Sequence, residues 1–234
     1  MIEIPHLEQL EITQNQWFDV CELAKRRDIE NPILLDVQRK ASAINRWDVV
    51  YSLSLLAGLE TSVLIDSESN VSIDWGDPGR VVLKAPHGFM APFKLWVHTH
   101  PGFMAYWSST DTNSLALGST IIETALVLGA PGIKISRNST FCTLESNSER
   151  ISQSGPLNQW SDEEITDWKQ WYDSLEETAM IRSTGEMKRL VKGKSHEEFS
   201  KWIIENCLGS GTVEGYEETS AKQMWADLKI FLRQ

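Results

Sequence analysis

Two of the five histidines in this 234-residue chain stand two positions apart, in Val97-His98-Thr99-His100-Pro101. Alternate side chains of an extended strand leave the same face, so both imidazoles can reach one ion. Pro101 then forces the chain out of the strand. Eleven positions after His100 comes Asp111, behind Ser108-Ser109-Thr110, where a helix begins. Two neutral imidazole nitrogens and one carboxylate are good ligands for Zn²⁺, and three protein ligands leave a fourth position for water, the pattern of catalytic zinc. A His-x-His pair on a strand is common by itself. The whole spacing, H-T-H-P-x₆-S-x-x-D, is far more specific than its parts.

The elements around this stretch must hold it in place. Phe93-Lys-Leu-Trp-Val97 reads as the strand that runs into His98, and Asp111 to about Ser119 reads as the following helix. Thr61–Asp66 and Val71–Trp75, around the turn-rich Ser67-Glu-Ser-Asn70, read as a β-hairpin, and Val81-Val82-Leu83 as another short strand. Ala125–Leu128, Ile133–Ile135 and Phe141–Leu144 complete the strands. The first third reads as helical. Thr13 or Asn15 can cap a helix carrying Trp17, Val20 and Cys21, and Asn31-Pro32 opens a second that runs towards Ala43. Asn45-Arg-Trp-Asp48 has the form of a capping box for a third, from about 46 to 57, with Gly58 as its terminator. Mixed strands with flanking helices give an α/β or α+β core.

Residues 145–160, rich in Ser, Asn and Gln with Gly155-Pro156, read as a linker. Beyond it Ser161-Asp-Glu-Glu164 and Ser195-His-Glu-Glu198 read as capping boxes of two helices, the first carrying Ile165, Trp168, Tyr172 and Leu175. A last helix carries Ala221, Met224-Trp225 and Leu228. The expected division is a domain over 1–150, N-terminal helices included, and a helical extension over 151–234 that supplies Trp-rich surface for a core or a protein partner.

Composition removes whole classes of function. Lys and Arg number 22 against 33 Asp and Glu, a net charge of −11, which repels a phosphate backbone and excludes nucleic acid or an anionic membrane surface as first partners. Three scattered cysteines form no C-x-x-C and suit a reducing compartment. The first residues lack the basic and apolar regions of a signal peptide, and no apolar run approaches the roughly 20 residues of a membrane span. A soluble, cytoplasmic protein is the expectation.

The combined pattern resembles the signature of the JAMM (MPN+) metalloprotease family, which holds the zinc-dependent deubiquitinating isopeptidases and their prokaryotic relatives. The motif covers residues 98–111, and the surrounding elements extend the resemblance to roughly 45–145. The resemblance implies a cytidine-deaminase-like MPN core with His98, His100 and Asp111 as zinc ligands. It implies that Ser108 hydrogen-bonds the developing oxyanion; by position, Thr110 is better placed than Ser108 to cap a helix that starts at Asp111. It also implies a glutamate general base at the start of an upstream strand. Glu60, opening Glu60-Thr-Ser-Val-Leu-Ile-Asp66 after a helix, stands in that context, with Val63 and Ser67 where the family has glycines. Glu30, before Asn31-Pro32, is the rival. The substrate implied is an amide or isopeptide bond at the carboxyl end of a ubiquitin-like or small carrier protein. An inactive MPN scaffold and a RadC-like metal protein of another role are the alternatives.

Overall fold

Helix α1 (Gln14–Lys25) begins at a reciprocal cap: the Gln16 N–H donates to Thr13 Oγ1 at 3.3 Å, and the Thr13 N–H donates to Gln16 Oε1 at 2.8 Å. Asn31 accepts the Ile33 N–H to start α2 (Pro32–Ala43), with Pro32 in the first turn where no N–H is needed. Helix α3 (Trp47–Ala57) ends at Gly58, whose φ of 61° is the left-handed conformation that glycine adopts without penalty. Its start differs from the expected capping box. Arg46 occupies the cap position without capping. Its buried guanidinium instead grips Asp48 at 3.0 and 2.7 Å and donates to the Pro5 and His6 carbonyls. A buried guanidinium must have its donors satisfied, and these acceptors tie the N-terminal segment to α3.

The computed structural model describes residues 4–151 and 154–175. The chain divides into two compact units, Met1–Trp171 and Tyr172–Gln234. Helices expected from Ser195 onward lie outside the described residues, and among those described no helix is long and apolar enough to cross a membrane.

Within the first unit a mixed sheet has the order β2-β1-β3-β4-β5-β6. Its strands are β1 (Thr61–Ile65), β2 (Val71–Trp75), β3 (Leu95–Thr99), β4 (Thr124–Leu128), β5 (Gly132–Arg137) and β6 (Thr166–Asp167). The pair β3–β4 is parallel and every other pair antiparallel. A parallel pair needs a crossover, and α4 (Ser109–Gly118) lies in it. Leu64, Phe93, Trp96, Leu115, Ile122, Ala125 and Trp160 form a buried core on one face of the sheet. On the other face α3 meets β1 and the end of β3, and α1 and α2 pack against α3.

Three expectations require correction. Neither Val81–Leu83 nor Phe141–Leu144 forms a strand: the first follows an isolated bridge, Asp77↔Arg80, and passes along the mouth of a cavity, and the second follows the turn at Asn138. The linker over 145–160 is packed rather than free. Trp160 is fully buried and donates its indole N–H to the Leu115 carbonyl at 3.1 Å, while Ile151 and Leu157 pack on the same core. Ser161-Asp-Glu-Glu164 does not start a helix either. Ser161 Oγ accepts the Arg137 N–H beside β5, the chain stays extended through β6, and the cap falls later, where Asp167 accepts the Gln170 N–H at 2.8 Å. The compact unit therefore runs past the expected boundary at 150 to Trp171.

Candidate metal centre

The alternation expected of His98 and His100 is set by β3. Trp96, His98 and His100 leave the α4 face, while Thr99 leaves the other and meets Ser54 of α3. The α4 crossover carries Asp111 back to them. One carboxylate oxygen lies 3.1 Å from His98 Nε2 and the other 3.4 Å from His100 Nε2. One ligand atom from each residue falls within a 4.8 Å cluster, and all three residues are buried.

The surroundings orient each ligand. His100 Nδ1 lies 3.2 Å from the Met104 carbonyl. A carbonyl only accepts, so Nδ1 carries a proton, and Nε2 is the ring nitrogen on the Asp111 side that a cation could take. His98 stacks on Trp96 with ring centroids 4.7 Å apart. Both its ring nitrogens are buried without a hydrogen bond, the Asp111 approach lacking the alignment of one. An unsatisfied imidazole beside a carboxylate, deep in a fold, is the condition that a metal ion relieves. The electrostatics agree. Burial pushes His98 down, against the opposing pull of Asp111. Burial would raise the Asp111 carboxyl, but contacts with His100, His98 and Ser108 outweigh it and hold it well below the carboxylate range. Burial would lower His100, yet Asp111, Glu60 and the Met104 carbonyl raise it. The pocket attracts positive charge.

Of the two glutamates, Glu60 is at the site. The β1–β3 register pairs Ser62 with His98, and continuing it two residues sets Glu60 opposite His100 on the same face. Glu60, His100, Ser108 and Asp111 line one cavity of about 160 Å³, closed by Gly79, Arg80, Val81, Thr110, Phe103 and Tyr106. Burial is the main cause that raises the Glu60 carboxyl to about 7, with Asp111 adding to it and His100 and the Val81 N–H opposing. Glu30 lies exposed in the turn between α1 and α2 and is not in this cavity.

Ser108, not Thr110, caps α4. Its Oγ accepts the Asp111 N–H at 3.2 Å while Asp111 accepts the Ser108 N–H at 2.8 Å, because the helix starts at Ser109 rather than Asp111. The cap uses only the acceptor side of the hydroxyl. Its proton remains for the cavity that Ser108 lines.

Phe103, Met104 and Tyr106 are exposed on the rim, although their loop is fixed at the backbone. The Ala130 N–H donates to the Phe103 carbonyl at 2.8 Å. A Cβ at Gly129 would stand 2.5 Å from the Ala105 nitrogen, so only glycine lets the loop lie this close. His87 is exposed and lines no part of the cavity.

Sequence reasoning missed the Met104 carbonyl, the Val81 N–H, Arg80 and the hydroxyls of Ser54 and Thr99. The first two are backbone groups with no signal in residue type. Compared with known proteins, the chain matches no protein-family model and no curated protein sequence.

Proposed function

We propose that the chain is a zinc-dependent hydrolase of JAMM type, cleaving an amide or isopeptide bond at the carboxyl end of a ubiquitin-like or small carrier protein. The observation that carries this reading is the cavity lined by Glu60, His100, Ser108 and Asp111, with the buried His98 3.1 Å from the Asp111 carboxylate. His98 and His100 through imidazole nitrogen and Asp111 through carboxylate oxygen would hold the zinc, a donor set that suits it. Bound there, zinc supplies Lewis acidity and makes water a nucleophile near neutral pH.

The chain's own groups provide the rest. Glu60, raised to about 7, can accept a proton near neutral pH and return it to a leaving amine. A bound cation would draw that value down, leaving Glu60 the base. Ser108, oriented by the helix cap, offers its O–H to negative charge that develops on a carbonyl oxygen. Asp111 stays ionised as a ligand throughout. The Met104 carbonyl prevents His100 from turning its Nδ1 inward. Phe103 and Tyr106 limit water at the mouth and give an extended peptide tail apolar surface.

The test is hydrolysis of a ubiquitin-like protein carrying a C-terminal fluorogenic amide, by zinc-loaded protein and by Glu60→Gln. Cleavage that requires zinc and falls about 10²–10⁴-fold in the variant supports the reading. A Glu60→Gln protein as active as the wild type contradicts it.

A further inference from the structure

The β1–β3 register ends at the pair Ser62↔His98. Beyond it a chain of hydroxyls continues the connection. The Thr61 N–H donates to Thr99 Oγ1 at 2.8 Å, Thr99 Oγ1 lies 2.5 Å from Ser54 Oγ, and Ser54 Oγ donates to the Leu59 carbonyl at 2.6 Å. Each hydroxyl has one proton. With the Ser54 proton on Leu59, Thr99 must donate to Ser54, so all three bonds run in one direction from Thr61 to Leu59. Ser54, Thr61 and Thr99 are fully buried, which makes each bond costly to lose.

The placement of this chain gives it a role. Its two ends grip residues 59 and 61, one on each side of Glu60. Its middle is Thr99, between His98 and His100. The hydroxyls lie on the α3 face of the sheet, and the carboxylate and imidazoles leave the opposite face. We propose that Ser54 and Thr99 are positioning residues: they set the separation of the Glu60 carboxylate from the two imidazoles without touching substrate or metal. Thr99 therefore serves the site through its side-chain oxygen, and valine, the same shape without that oxygen, cannot replace it. The catalytic half of this proposal rests on the hydrolase reading above.

The test uses full-length Thr99→Val, Thr99→Ser, Ser54→Ala and the Ser54→Ala, Thr99→Val double variant, all zinc-loaded. In crystal structures Thr99→Val and Ser54→Ala should each move the Glu60 carboxylate relative to His100, and Thr99→Ser should restore it. Turnover of the fluorogenic amide should fall about tenfold or more in the first two at unchanged KM, since displacement by about 1 Å suffices for such losses. The double variant should lose no more than either single, because the two hydroxyls act as one unit. In a Glu60→Gln background Thr99→Val should lower turnover no further, which distinguishes positioning of Glu60 from general destabilisation. A Glu60 carboxylate that stays in place in Thr99→Val, or a Thr99→Ser protein that fails to recover it, overturns the proposal. If the wild type cleaves no amide probe, the hydrolase reading falls, and the crystal structures alone decide the positioning role.

Discussion

The stretch from His98 to Asp111 and the stretch from Ile151 to Trp171 both lie against the same sheet, and they depend on different kinds of contact. In the first, strand alternation and a helix cap bring His98, His100 and Asp111 together over a span that local geometry determines. In the second, polar composition and Gly155-Pro156 suggest a linker, yet Trp160 fills a hole between α4 and the sheet and β6 pairs with β5. A local pattern can specify a site, but a packing role depends on which distant residues leave the space. The comparison implies that the second stretch maintains the fold, while the first maintains the grouping of His98, His100 and Asp111.

Truncation after Ser154 gives the largest effect. It removes Trp160, Ser161 and β6, so the shortened chain should melt without cooperativity or fall out of solution. A soluble, cooperatively melting fragment would restore the linker. Trp160→Ala should cost about 3–5 kcal/mol, as large buried aromatics do, measured by denaturant midpoint. Zinc stoichiometry of the folded protein should be unaltered, because Trp160 donates to Leu115 and contributes no atom to the His98, His100 and Asp111 group.

Gly129→Ala sharpens the comparison from within the site. The added methyl meets the backbone of residues 103–105 and displaces the Met104 carbonyl from His100. Zinc affinity, read by chelator competition, should fall about 10–100-fold, the range for lost outer contacts of a ligand. Unchanged affinity would mean that the rim loop does not orient His100.

A pH test addresses Glu60 in zinc-free protein. Its folded value, about 7, lies above the usual carboxylate value, so between those two values the folded state binds more protons than the unfolded. Stability must fall as pH rises through that window. Glu60→Gln removes this loss, and should raise stability by on the order of 1–3 kcal/mol at pH 8 relative to its effect at pH 4. Equal effects at both pH values would show that burial does not strain Glu60. The smallest effect distinguishes the two hydroxyls of the turn: Ser108→Ala should cost about 1 kcal/mol through the lost cap, and Thr110→Ala much less.

How much of this was legible in the sequence varies with distance along the chain. The caps at Thr13 and Asn31, the Gly58 terminator and the β1–β2 hairpin follow from neighbouring residues, and the structure has them. The grouping of His98, His100 and Asp111 was legible for the same reason. The resemblance left Glu60 and Glu30 as rivals, and only the strand register, which sets Glu60 opposite His100 across 40 positions, separates them. Arg46 differs from a cap because, besides Asp48, its guanidinium finds acceptors at Pro5 and His6, 41 and 40 positions away. Ser108 takes the cap expected at Thr110, and its hydroxyl accepts from the Asp111 N–H while its proton stays free to donate.

The central claim is that His98, His100 and Asp111 hold zinc. Elemental analysis of purified full-length protein beside its His98→Ala, His100→Ala variant tests it most directly. About one zinc per chain in the wild type and none in the variant is the predicted result, and equal zinc in the two proteins would contradict it.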